Sequence, residues 1–253
     1  MIFEALWDRW LRRAYERAHG LVGALGIFLV GGLVVAIAGI AAFIGIASEV
    51  LEGDTQTFDE AVIRWMGEQH SPLLDKAVVE VTALGTGIVV LMIVVVAGLF
   101  LVLTGHKGSA ILLIVSAAGG LVLNGVLKLG FDRPRPDVFV HSVHTVSSSF
   151  PSGHAMSSAI VYGTVAYLAA RLHRRRWARW LVMISAFIVI VLISASRMYL
   201  GVHYPSDVTA GVIIGLSWAA FCMATLEAIQ RFALRRAPQI LKDEEAAPVV
   251  TES

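Results

Sequence analysis

The chain has 253 residues, 57% of them hydrophobic and 15% charged, with a mean hydropathy of +0.75, which is too apolar for an ordinary soluble domain and describes a multispanning membrane protein. A formal net charge of +1 says little about partners, and nothing in the sequence points to nucleic acid or to an obligate protein partner. The one cysteine, Cys222, excludes an intrachain disulfide and a Cys-based metal site and reads as an inert thiol in a late apolar run.

In chain order, residues 1–20 come first. Phe3, Leu6, Trp7, Trp10, Leu11 and Ala14 recur at helical spacing, with Arg9, Arg12, Arg13 and Arg17 largely on the other side. This pattern predicts an amphipathic helix lying in the membrane interface. Glu4, Asp8 and Glu16 interrupt the basic region, which argues against a cleaved signal peptide.

Residues 21–230 hold six apolar runs near the roughly 20 residues that cross a bilayer. They lie at Leu21 to Ala47, Val78 to Leu103, Ser109 to Leu127, Gly153 to Ala170, Leu181 to Ser196 and Val208 to Ile229, the fifth being short and able to continue toward Gly201. Lipid cannot satisfy backbone polar groups, so all six are expected as helices, giving an all-α polytopic bundle with six transmembrane helices. Between the first two, Phe58, Ala61, Val62, Trp65 and Met66 predict a short amphipathic helix flat on the outer surface, with Arg64, Glu68 and Gln69 on its polar side.

Lysines and arginines cluster before the first run, at Lys107, in the turn Arg171 to Arg179 and in the tail at Arg231, Arg235, Arg236 and Lys242. With six spans, all four segments fall on one side, so both termini are expected in the cytoplasm. His141 and His144 sit in a Ser-rich loop and read as exposed loop histidines rather than metal ligands. Gly211 and Gly215 form a GxxxG pattern suited to close packing within the monomer. The cytoplasmic tail, residues 231–253, loses its apolar period from Lys242 and is expected to be disordered there.

Three clusters carry the chemistry: Lys128-Leu-Gly-Phe-Asp-Arg133-Pro-Arg135-Pro136, Pro151-Ser152-Gly153-His154, and Ser196-Arg197 followed by His203 and Asp207. A phosphate group carries about two negative charges near neutral pH, and its transfer needs mainly positioning and charge stabilisation. Arg135 and Arg197 offer planar forks that match phosphate oxygens, Lys128 a point charge and Ser152 a hydroxyl. Ser152-Gly153 precedes a long apolar helix, whose first N–H groups and dipole suit an anion. All the clusters fall at the outer ends of their spans.

Together these clusters, in order and spacing, resemble the signature of the type 2 phosphatidic acid phosphatase (PAP2) family, which includes the vanadium haloperoxidases. The resemblance implies a haloperoxidase-like helical core and a metal-independent lipid phosphatase with no cofactor. It implies that His203 is the nucleophile and forms a phosphohistidine, that Asp207 holds its other ring nitrogen, and that His154 is general acid and then base. Lys128, Arg135, Ser152, Gly153 and Arg197 are then the phosphate ligands. Arg133-Pro134 repeats the dipeptide of Arg135-Pro136; the six-residue gap selects Arg135 and leaves Arg133 to steer the substrate.

Undecaprenyl diphosphate is the leading substrate expected, with phosphatidic acid and phosphatidylglycerol phosphate behind it. The expected place is a bacterial cytoplasmic (inner) membrane, with the site on its outer face. A lipid-linked phosphotransferase would use the same His203. A transporter would put ionisable residues in mid-span and a scaffold with a dead site would have lost a His or Arg; neither departure is present.

Overall fold

The computed structural model describes residues 29–137 and 148–245, without the side chains of 231–245. The expected interfacial helix at 1–20, the start of the first span, His141 and His144, and residues 246–253 lie outside the described residues. Among those described, every regular element is a helix: α1 (Leu29–Glu52), α2 (Gln56–Glu68), α3 (Pro72–Ala83), α4 (Gly87–Leu103), α5 (Lys107–Gly130), α6 (Gly153–Leu172), α7 (Arg176–Tyr199) and α8 (Pro205–Glu245).

Helix α6 is the centre of the bundle and packs against α4, α5, α7 and α8. Its mean hydropathy is the lowest of the spanning helices, 1.2 against 1.9 to 2.6 for the other single-helix spans. The reason is its many small and hydroxyl residues, which let neighbouring backbones approach and bond where lipid does not reach. Buried Ser116 and Thr164 meet hydroxyl to hydroxyl at 3.2 Å, and Trp218 Nε1 donates to the Ser116 carbonyl at 2.9 Å. The GxxxG face of α8 lies on the start of α6: a Cβ on Gly211 would stand 2.7 Å from the Ser152 carbonyl oxygen, and one on Gly215 2.8 Å from that of Met156. The pattern therefore serves packing within the chain.

Away from α6, the helices turn large apolar side chains outward, among them Ile88, Leu91, Leu121, Trp180 and Phe187, all more than half exposed. A water-facing surface of that kind is untenable, whereas hydrocarbon accepts it. Among the described residues, five helices are long and apolar enough to cross a membrane, and six spans result if the bent pair α3 and α4 is counted as one.

That pair departs from the expected straight helix over Val78 to Leu103. The span starts at Pro72, which is suited to the first turn of a helix, and bends by 48° between Ala83 and Gly87. Gly85 sits at the bend because a Cβ there would stand 2.6 Å from Ile193 and 3.1 Å from His154 Cδ2. The fifth span is longer than Leu181 to Ser196 and runs from Arg176 to Tyr199. Helix α8 continues past Ile229 to Glu245, so residues 242–245 are helical where loss of period predicted none.

Helix α2 also differs from expectation. Asp59 and Ile63 face inward, while Phe58 and Trp65 are more than half exposed. Asp59 and Ile63 are one turn apart and form the stripe that meets α7 and α8. The two ends of the bundle are distinct. Arg171 at the end of α6 pairs with Glu227 at 3.3 Å and with Gln230 at 3.0 Å on α8, beside the start of α5, and the clusters of interest lie at the opposite end.

Candidate active site

The segment between α5 and α6 carries Arg133 and Arg135 just after α5, and aromatic packing fixes its two described ends. Phe131 follows α5, Phe150 precedes α6 and Phe43 reaches them from α1, with ring centroids 4.8 to 6.1 Å apart and Phe150 fully buried. Hydrogen bonds staple the two ends of the loop: Ser149 N–H donates to the Arg133 carbonyl at 3.0 Å, and Lys128 Nζ to the Ser148 carbonyl at 3.1 Å.

Arg135 and Arg197 are also held. Arg135 Nη1 donates to the Val202 carbonyl at 2.8 Å, just before His203, and Arg197 Nη1 to Thr82 Oγ1 at 2.9 Å on α3. These bonds aim the guanidinium groups, and the buried Nε of Arg197 makes no hydrogen bond. Burial pulls Arg135 below its usual value, partly offset by Asp207. Lys128 lies in electrostatic range of Arg135, Asp207 and Arg197, and His154 in range of Arg197, His203, Lys128 and Arg135. Six side chains from four helix ends and two loops thus meet at one place.

The start of α6 completes the ring. Ser152 occupies the position before the helix, its N–H bonded to the Asp207 carbonyl at 3.0 Å and its buried Oγ without a partner. No side chain caps the first turn, so the N–H groups at its start lack an intrahelical acceptor and add their partial positive charge to the cations. Asn124, one turn before Lys128, faces Gly153: a Cβ on Gly153 would stand 3.1 Å from its Nδ2.

Asp207 is the third residue of α8, and its Oδ2 accepts the Tyr204 N–H at 2.8 Å, the backward half of a capping box. The same oxygen lies 3.5 Å from His203 Nδ1, at the long edge of hydrogen-bonding distance, and Nδ1 makes no shorter bond. That placement favours the tautomer with the proton on Nδ1 and the lone pair on Nε2.

His203 lies between the spans, and burial pulls its imidazole from 6.5 down to about 4, with Asp207 opposing and Arg197 and Arg135 adding to the fall. The folded ring is neutral near pH 7, the nucleophilic form. In the unfolded chain it takes up its proton near 6.5 instead, so the unfolded state binds more protons between pH 6.5 and about 4. The stability contributed by the neutral ring is complete above pH 6.5 and is lost as pH falls toward 4, by on the order of 1–3 kcal/mol. Thermal unfolding in detergent should show this slope, and His203→Asn should flatten it. An equal slope in the variant would assign the titration to another group.

All eight residues singled out from the sequence lie at this end of the bundle. Three further residues take part in it that sequence reasoning did not assign, Asn124, Thr82 and Asp59, which belong to no motif. Arg133, left to steer the substrate in the sequence reading, instead has its guanidinium on Asp207 and Asp59. The repeated Arg-Pro was the one signal available, since two adjacent forks had to have separate partners.

A model of the PAP2 superfamily matches residues 109–231. The chain is 33% identical over 191 residues to phosphatidylglycerophosphatase B of Bacillus subtilis (strain 168), across 75% of this chain and 94% of that one. It is 34% identical over 137 residues to an undecaprenyl-diphosphatase of Sulfolobus acidocaldarius, across 52% and 62% of the two chains. Its fold is similar to the crystal structure of a transmembrane PAP2 type phosphatidylglycerolphosphate phosphatase from Bacillus subtilis. The TM-score is 0.73 at 31% identity, covering 78% of this chain and 98% of that one.

Proposed function

We propose a reaction for this chain, which belongs to the PAP2 superfamily and is an integral-membrane lipid phosphatase: it removes the terminal phosphate of a membrane lipid by two in-line transfers through His203. In the first, Nε2 of His203 attacks phosphorus. An N–P bond forms, the bond from phosphorus to the lipid oxygen breaks, and that oxygen takes a proton from His154. In the second, water gives a proton to His154 and attacks phosphorus, and the N–P electron pair returns to Nε2. Lys128, Arg135, Arg197, Ser152 and the first N–H groups of α6, starting at Gly153, hold the three equatorial oxygens.

The observation that carries this reading is the meeting of two imidazoles, one beside a buried carboxylate, with three cations and an uncapped helix start. Such a site is complementary to a trigonal-bipyramidal, negatively charged phosphoryl group. Among lipids, undecaprenyl diphosphate and phosphatidylglycerol phosphate stand foremost, because the relatives are named for those two activities and the longer alignment is with the second. Phosphatidic acid offers the same head-group chemistry. The Lys and Arg distribution supports cytoplasmic termini and a site on the outer face of a bacterial cytoplasmic membrane.

The test is phosphate release by purified protein from those three lipids, each with and without EDTA. We expect turnover of at least one lipid, unchanged by the chelator because the charge is carried by side chains. No release from any, or a strict requirement for magnesium, would overturn the reaction as written.

A further inference from the structure

In that reaction Asp207 serves only as the partner of His203, yet half of its carboxylate is engaged elsewhere. Oδ1 accepts from Arg133 Nη1 at 2.5 Å, while Oδ2 accepts from Tyr204 N–H and faces the imidazole. Arg133 Nη2 donates to Oδ2 of Asp59 at 2.8 Å. Ser206 closes the ring: its N–H and its hydroxyl both donate to Asp59, and its Oγ accepts from Arg133 at 2.7 Å. The Tyr204 ring lies against the guanidinium at 4.3 Å. The Arg133 side chain is 9% exposed and both carboxylates are 0% exposed.

We propose that Arg133 and Asp59 are a positioning unit for the nucleophile, in which Arg133 clamps Asp207 toward His203 and Asp59 cancels the charge that the clamp introduces. The proposal rests on the phosphohistidine reading above.

Charge counting explains why two residues are needed. As the N–P bond forms, positive charge develops on the His203 ring, and an ionised Asp207 stabilises it. A guanidinium bonded to that carboxylate fixes its plane but brings a positive charge beside the same ring. Asp207 and Arg133 alone sum to zero. With Asp59 the sum returns to minus one, the charge of a lone carboxylate, now with Oδ1 held and Oδ2 left for Tyr204 and His203.

The same bonds distinguish Arg133 from the phosphate ligands. Nη1 donates to Asp207 and Ser206 and Nη2 to Asp59, and the Tyr204 ring lies against the face of the guanidinium. Arg197, in contrast, gives Nη1 to one hydroxyl and keeps an unbonded buried Nε. Charge compensation for the reacting ring comes from α2, an element that carries no motif residue.

The experiment uses the full chain in detergent and measures kcat for a hydrolysed lipid together with the competitive inhibition constant of orthophosphate. Asp59→Asn leaves Arg133 uncompensated and should lower kcat by about 10–100-fold, the usual range for a residue supporting a reacting group, with the orthophosphate constant within about two-fold of the parent. Adding Arg133→Gln removes the offending charge and keeps an N–H for Oδ1. The double variant should therefore regain about ten-fold over Asp59→Asn.

A purely structural role predicts that the double variant is no better than the single one. A phosphate-binding role for Arg133 predicts that Arg133→Gln weakens orthophosphate by about ten-fold or more, the scale of a lost charged hydrogen bond. Either result overturns the proposal. Should Asp59→Asn not accumulate as folded protein, Arg133→Lys carries the test, since it keeps the charge and loses the fork. A loss in kcat of about ten-fold with an unchanged orthophosphate constant supports the clamp, and any other outcome overturns it. His203→Asn is measured alongside. Turnover in that variant sinks the reaction itself, whereas an inactive His203→Asn with a flat Asp59 series sinks only the positioning unit.

Discussion

His203→Asn should bring turnover of every lipid phosphate to background, a loss of about 10⁴-fold or more, because the atom proposed to attack phosphorus is gone. Asn retains an amide N–H near the position of Nδ1, so the carboxylate opposite it keeps a partner while the smaller side chain removes the attacking edge of the ring. The same variant should no longer take up label from a ³²P-labelled lipid on rapid acid-free quenching, while the parent does so through an acid-labile N–P bond. Turnover above about 1% of the parent, or label retained in the variant, would remove His203 as nucleophile.

His154→Gln should lower kcat for a lipid substrate by about 10²–10⁴-fold, the range for a displaced general acid or base. Its effect should depend on the leaving group. A lipid alkoxide or phosphate needs a proton as it departs, whereas p-nitrophenolate does not. With p-nitrophenyl phosphate the first transfer should therefore survive in the variant, and the second, which needs a base for water, should not. Stopped-flow absorbance should show a stoichiometric burst of nitrophenolate followed by a slow steady state, with the phosphoenzyme accumulating. Equal losses for both substrates and no burst would assign His154 to binding alone. Gly85 bears on the choice of replacement, because a side chain there would press on the imidazole edge, so the residue put at 154 must be no wider than histidine.

The bundle and the site ends were legible because two different signals coincide. Long apolar runs mark the spans, and each polar motif falls where a run stops. The faces of the helices were not legible. In water the apolar side of a helix is the buried side, but hydrocarbon is as apolar as a protein core, so the periodicity of Phe58, Ala61, Val62 and Trp65 marks an apolar face without saying what covers it. Phe58 and Trp65 face out and Asp59 faces in. Asp59 was invisible for a further reason. An isolated acidic residue on an interfacial helix is the expected solvated case, and only the fold brings it to a guanidinium more than seventy residues away.

The break before α4 leaves no mark in the sequence because the apolar run continues through it. Gly85 and Thr86 are tolerated inside spans, and the requirement for a glycine comes from Ile193 and His154 on other helices. The start of α7 is hidden in the sequence because Arg176 to Trp180 look like a turn by charge, whereas long cationic and aromatic side chains suit the interfacial turn of a helix.

The aromatic contact of Phe43 with Phe131 and Phe150 ties the first described helix to the segment bearing two of the cations. Residues 109–231, the stretch that the family model matches, contain every motif residue but none of the three props supplied from upstream: Phe43, Asp59 and Thr82. The catalytic segment is therefore not a portable cassette. Grafted without the 108 residues before it, that segment would carry a full set of reactive groups on a backbone free to drift, and chimaeras between relatives should be cut before α1 rather than at the border of the signature.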